Sequence, residues 1–200
     1  MAKTGRPRTF DRAAALTQAM HLFWEHGYDA ACLALLKERM GGISAPSFYA
    51  AFGSKQALFQ EAAQLYLQTH GRVNDSLFDL ALAPRAALEK ALRTSARMQC
   101  EAGHPKGCMV ALGVMGGCSP DTASIAQPLT DSRARTRAGI VACVERGIAA
   151  GDLPAGTDAT VLATVFDSFL NGLSTLARDG VEHAVLDAAV TQVMAVWPQG

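Results

Sequence analysis

The 200-residue sequence has no unbroken apolar run of 18 residues, although half of its residues are hydrophobic. A membrane-spanning helix needs about 20 consecutive, mainly apolar residues. The expectation is therefore a chain without a membrane span and with enough length for a sizeable core. The amino terminus, Met1-Ala2-Lys3-Thr4-Gly5-Arg6-Pro7-Arg8, has no apolar stretch behind it and does not read as a signal peptide, which makes the cytoplasm the expected location. Catalytic signatures are missing as well. There is no nucleophile elbow, P-loop, dinucleotide glycine fingerprint, HExxH or paired carboxylate, so an enzyme is the weaker reading and no cofactor is expected. Five cysteines, an odd number, show neither CxxC nor a Cys/His zinc spacing, so no metal is expected and the thiols should stay reduced. β-branched runs are few and alanine is abundant, which favours an all-helical fold.

Net charge is also missing overall, at zero, yet it is unevenly spread. Residues 1–60 hold seven basic and four acidic groups, a surplus of three positive charges that the remainder reverses. A basic head on a slightly acidic body suits nucleic-acid binding by one end only. Residues 1–9 carry Lys3, Arg6 and Arg8 among Gly, Pro and Thr, and read as a flexible arm able to order on DNA phosphates or in the minor groove.

What is present is a stretch from Gly41 to Lys55 that reads as glycine turn, short helix, glycine turn, helix. Ser44 can cap the short helix, Pro46 suits its first turn, Gly53 ends it, and Ser54 can cap the next. A helix of about two turns is unstable alone in water, so neighbours must hold it. The spacing predicts helix 1 from Asp11 or Arg12 to His26, capped by Asp11 and closed by Gly27 in the left-handed conformation, with Leu16, Met20 and Phe23 inward. Helix 2 follows from about Cys32 to Met40 on Leu33, Leu36 and Met40, leaving Lys37 and Arg39 for a phosphate backbone. Helix 3 spans about 45–51, and helix 4 about Ser54 to Thr69 on Leu58, Phe59, Ala62, Leu65 and Tyr66. Phe48 and Phe52 should point inward, and Ser47 and Tyr49 outward.

The string Gly27-Tyr28, Met40-Gly41, Ile43-Ser44, Pro46-Ser47-Phe48-Tyr49, Phe52-Gly53-Ser54-Lys55, Leu58-Phe59 resembles the DNA-binding domain of TetR/AcrR-type repressors, over about residues 10–66. The resemblance implies an all-α homodimer: an N-terminal helix-turn-helix domain plus a larger C-terminal helical domain for ligand binding and dimerisation. It divides the chain into the arm 1–9, the DNA-binding domain 10–53 and an effector and dimerisation domain 54–200. It also implies that Ser44, Ala45, Pro46 and Ser47 meet base edges of double-stranded, near-palindromic operator DNA, and that Tyr49 and Lys55 contact phosphates. Three features depart from the family pattern. Ala30-Ala31-Cys32 lacks the hydroxyl usual at the start of helix 2, Lys37 follows Leu36 where a small residue is common, and Gly41-Gly42 makes the turn one residue longer. A longer turn would re-aim helix 3.

Farther along, helix 5 is expected from Pro84 to Ala102, with Leu88, Ala91, Leu92, Ser95 and Met98 inward. The stretch Cys108–Met115 is nearly uncharged and reads as a helix buried all round. Its Met, Cys and Gly content suits an adaptable cavity, with Met98, Cys108, Met109, Leu112, Met115, Phe166, Phe169 and Leu170 as lining candidates, although tight helix crossing is the alternative. Cys108 is expected at a helix amino terminus beside Lys106 and His104, a setting that favours thiolate; a small buried hydrophobe is the other reading. Some repressors of the resembling family sense electrophiles or oxidants through a cysteine in such a Gly-Cys motif. A long helix then runs from Ser119-Pro120 to about Ala150, with Arg133, Arg135 and Arg137 on a solvated or interdomain face. The last two helices, about 158–178 and 182–196, carry more apolar surface than one core needs. Leu162, Phe166, Phe169, Leu173, Leu176, Leu186, Val190, Val193 and Trp197 are the expected dimer interface. The function expected is a repressor released from its operator by a small-molecule or thiol-reactive effector.

Overall fold

The computed structural model describes residues 10–113 and 120–197 and is helical, with no strand among the described residues. The arm with Arg6 and Arg8, and Val114–Ser119 with Met115, Gly116, Gly117 and Cys118, lie outside the described residues. The helices are α1 (Arg12–Ala30), α2 (Leu33–Arg39), α3 (Ala45–Phe52), α4 (Lys55–Gln68), α5 (Pro84–Cys100), α6 (Met109–Leu112), α7 (Pro120–Ala150), α8 (Ala159–Arg178) and α9 (His183–Val193). Caps fix many boundaries: the side chains of Asp11, Ser44, Ser54 and Asp158 accept from the backbone N–H groups of Ala14, Ser47, Ala57 and Val161.

Three helical expectations change, and a fourth helix holds its expected span with a proline inside. Gly27 interrupts α1 with positive φ but extended ψ (76°, 173°) rather than the left-handed helical conformation, and one further turn follows to Ala30. A 3-10 segment, His70–Phe78, follows α4 where no element was expected. α6 has four residues instead of the eight of an all-round buried helix: Met109 is buried, whereas Val110, Ala111 and Leu112 are only half-buried. α7 carries Pro128 in its interior, which removes one backbone donor.

Two apolar clusters form the core. The first joins Phe23, Trp24, Leu36, Phe48, Phe52, Phe59 and Tyr66 of α1–α4 with Met98 and Met109. The second joins Leu88, Leu92, Ile140, Val144, Phe166, Leu173, Leu186, Val190 and Trp197 of α5 and α7–α9. α8 is the one described helix long and apolar enough to cross a membrane by length and composition. In the fold it packs on α5, α7 and α9 and buries Asp167 and Ser174 as well as apolar side chains.

Candidate DNA-binding surface and effector cavity

α3 is short, and its seating is aromatic. Phe48 is fully buried and Phe52 nearly so, both in the first core. Arg12 adds a clamp across three helices. Its guanidinium donates to both carboxylate oxygens of Glu61 at 2.8 Å and to the Ala51 carbonyl at 3.2 Å, and lies 4.6 Å from the centre of the Phe52 ring. Burying Phe48 and Phe52 turns the opposite face outward. Ser44, Pro46, Ser47 and Tyr49 are exposed, Tyr49 by 52%, and Ala45 is half-buried. Ser44 is partly committed to structure, since its Oγ accepts from Ser47 N–H and lies 2.9 Å from the Ser47 hydroxyl.

The glycine turn has a structural use. Gly41 and Gly42 both take positive φ, 91° and 75°, which favours glycine. This lets the Gly42 N–H reach the carbonyls of Lys37 and Glu38 and the Ile43 N–H reach that of Lys37, satisfying acceptors that the end of α2 leaves open. At the other end of α2, Cys32 makes no side-chain cap, in keeping with the missing hydroxyl.

Lys55 sits differently from a freely extended phosphate contact. Its ammonium lies 4.3 Å from the centre of the Tyr28 ring and donates to the Asp29 carbonyl at 3.4 Å. Burial lowers its pKa, partly offset by Asp29. The side chain ties the start of α4 to the end of α1. Lys37 is half-buried and Arg39 exposed on α2.

Between the two clusters lies a cavity of about 40 Å³, walled by α4, the 3-10 segment, α5, α6, α7 and α8. That is room for about three waters. Of the expected lining residues, Cys108 and Leu170 face it. Met98 and Met109 are buried in the first core and Phe166 in the second, Phe169 packs on the second, and Leu112 lies by Gly107 and Ser174. The lining the sequence reading missed is largely polar: Tyr66, Asn74, Ser95, Gln99, Ser132, Arg133, Thr136, Asp167, Asn171 and Ser174, beside Gly71, Val73, Val110 and Ala111. A clue is the Ser95/Gln99 pair, four residues apart on an otherwise apolar face of α5, whose side chains bond at 2.8 Å.

The three arginines expected on the polar side of α7 are engaged. Arg133 donates to the Val110 carbonyl at 2.6 Å, Arg137 pairs with Asp167 at 2.9 Å, and Arg135 lies over the Phe78 ring. Cys108 is the α6 N-cap residue, and its Sγ accepts from the Tyr66 hydroxyl at 3.3 Å. Burial, with Cys108 adding to it, holds the Tyr66 phenol well above its ordinary pKa of 10.0, so it stays protonated and can donate. The charge expected from Lys106 goes elsewhere: its ammonium donates to the carbonyls of Cys100 and Glu101. His104 stacks on Trp24 with ring centres 4.7 Å apart, and Arg178 donates to the Trp24 carbonyl at 2.7 Å. Those contacts tie α1 to the loop before α6 and to the end of α8.

The apolar surface of α8 and α9 faces the opposite way from the expected stripe. Phe166, Leu173, Leu186, Val190 and Trp197 are buried within the chain; Leu162, Phe169 and Val193 are half-buried; only Leu176 is exposed. Trp197 lies against Gly147, where any Cβ would collide with its ring, which explains its inward seat. The outward apolar residues are Val161, Val165, Leu176, Val185 and Val196.

A short helix mounted on aromatic side chains, with its other face open, and a separate helical body enclosing a cavity define a helix-turn-helix regulator. The family model described as "Bacterial regulatory proteins, tetR family" matches residues 15–62. The HTH-type transcriptional repressor ComR of Escherichia coli (strain K12) is 32% identical over 199 residues, covering 98% of this chain and 92% of that protein. The repressor BdcR of the same organism is 37% identical over 111 residues, 55% of each chain. A solved structure of the TetR family transcriptional regulator CifR, a triple cysteine mutant with 26-bp double-stranded operator DNA, superposes with a TM-score of 0.84 at 40% identity, covering 97% of this chain and all of that one. This chain belongs to the TetR family and is a transcriptional repressor of that type.

Proposed function

We propose that this repressor works as a cytoplasmic homodimer, released from a near-palindromic operator by a small effector held in the cavity, and that it catalyses no reaction. The observation that carries the reading is the outward face of α3, where Pro46, Ser47 and Tyr49 are exposed on a buried Phe48/Phe52 base. In this reading Ser44, Ala45, Pro46 and Ser47 meet base edges, Tyr49 and Lys37 meet phosphates, and Arg6 and Arg8 of the arm track the minor groove. Lys55 reaches phosphate only by leaving the Tyr28 ring. The unit that docks is the segment 10–53, with residues 54–200 receiving the effector and the partner. Val161, Val165, Leu176, Val185 and Val196 form the face for the second copy, which sets the two α3 helices about 34–36 Å apart. An effector needs about 1–3 kcal/mol of coupling to disturb that spacing.

A gel shift with DNA flanking the chain's own gene tests the reading. The expected result is a dimer bound at sub-micromolar concentration and weakening with salt; binding no stronger than to unrelated DNA would reject it. A second effector class, thiol-reactive agents, is favoured by the Tyr66–Cys108 hydrogen bond at the cavity wall. Oxidant should then release DNA from the wild type and not from Cys108→Ser; an equal response in both rejects the thiol.

A further inference from the structure

We propose that the cavity selects a small, uncharged molecule rich in hydrogen-bond donors, of the primary amide or polyol class, anchored on the side-chain carbonyl of Gln99. This rests on reading the cavity as the effector site. Gln99 is only 1% exposed and lines the cavity. Its Nε2 donates to Ser95 Oγ, while its Oε1 is buried and receives no hydrogen bond from the described residues. Asn74, on the 3-10 segment that also lines the cavity, repeats the pattern: Nδ2 donates to Thr136 Oγ1 at 3.3 Å and Oδ1 is buried without a protein donor among the described residues. An unmet buried acceptor is unfavourable and calls for an explanation. Two of them on one small cavity ask for a molecule that brings N–H or O–H groups.

Charge narrows the class. The ionised lining side chains are Arg133 and Asp167, one positive and one negative, so the wall carries no net charge. Both are already engaged. Arg133 donates to the Val110 carbonyl and Thr130 Oγ1, and Asp167 accepts from Arg137 and Asn171. A carboxylate or phosphate brings no donor for the buried oxygens of Gln99 and Asn74, which would stay unmet beside a further negative charge. Size narrows it again, because room for about three waters is room for about four non-hydrogen atoms. A route to the surface exists. Gly71, Asn74, Ser132 and Thr136 line both this cavity and an open groove that also contains Asp75, Asp131 and Arg135. The Asn74–Thr136 hydrogen bond stands between the two, so an incoming donor can replace the donor it breaks.

Acetamide, acetone and acetate share a shape and differ in donors and charge, which makes them suitable probes. Ligand-observed NMR on the full chain should show saturable binding of acetamide, roughly tenfold weaker binding of acetone, and weaker binding still of acetate. Gln99→Met keeps the length and removes the acceptor. It should abolish the preference for acetamide over acetone, with an unfolding temperature equal to or above that of the wild type. Asn74→Leu, at a half-buried position, is the second variant and should shrink the same preference. Equal binding of the three probes, no saturable binding of any, or a preference unchanged in both variants overturns the proposal. Operator binding without probe is read on the same preparations. Intact DNA binding with no probe preference removes the ligand class and leaves the repressor. Selective acetamide binding without operator binding does the reverse.

Discussion

The interior of the DNA-binding head and the interior between α5, α7 and α8 are built from opposite materials. In the head, rings meet rings: Phe23 and Phe59 lie edge to face at 5.0 Å, and Trp24 and Tyr66 at 4.7 Å. In the body, hydroxyls, amides, Arg133 and Asp167 share the cavity wall with small apolar side chains such as Val73, Val110, Ala111 and Leu170. Close-packed rings have one arrangement and hold a platform in place. Hydrogen bonds such as Gln99–Ser95 and Asn74–Thr136 can exchange partners with a ligand at little net change in energy. The contrast suits the proposed function, in which a rigid reading helix responds to something bound elsewhere. Tyr66 belongs to both halves. Its ring is in the first core, on α4, and its hydroxyl reaches Cys108 at the cavity.

If the head is a rigid aromatic platform, removing one of its rings should have the largest effect. Phe48→Ala should destabilise the chain by about 3–5 kcal/mol and abolish operator binding. Chemical denaturation with amide exchange across α1–α4 reads it, and a change below about 1 kcal/mol would break the contrast. Gly42→Val comes next. Its φ of 75° is unfavourable for a branched side chain, so roughly 1–2 kcal/mol of stability should go, with DNA binding weakened more than cavity binding.

Acid should act at the seam between the halves. Burial, the larger cause, and the neighbouring His104 both lower the pKa values of His21 and His70, whereas Glu101 opposes the shift at His70. Both histidines fold more readily in the neutral form. Their contribution is complete above the ordinary value of 6.5 and is lost as pH falls below it through the folded pKa. Unfolding temperature should therefore drop between pH 7 and pH 5, and the drop should shrink in the double variant His21→Gln, His70→Gln. The smallest effect belongs to the Arg12 clamp. Arg12 and Glu61 are 47% and 35% exposed, so Arg12→Ala should change stability by only about 0.2–1 kcal/mol, most visibly at low salt.

The head was legible because its signals are local. A serine cap, a proline in the first turn and two aromatics four residues apart, Phe48 and Phe52, specify α3 and its buried face without any distant residue. The cavity draws Tyr66, Asn74, Gln99, Cys108, Arg133 and Asp167 from separate elements, and no spacing along the chain joins them. Of the expected pocket residues, Cys108 and Leu170 line the cavity, whereas Met98, Met109 and Phe166 are core residues; the sequence reading passed over the polar minority on α5 and α8. The side of α8 and α9 that turns inward was hard to read for a related reason. Both helices have apolar residues on two sides, and what lies inward depends on distant elements, such as the bare Gly147 that receives Trp197 beyond the end of α9.

Tyr49 gives the most direct test that the outer face of α3 is the DNA surface. It is 52% exposed and its ring meets Phe48 edge to face, so Tyr49→Ala should leave the unfolding temperature close to that of the wild type. Operator affinity measured from about 50 to 200 mM salt should then be weaker at every point, with a shallower dependence of log affinity on log salt. An affinity and a salt slope equal to those of the wild type would contradict the assignment.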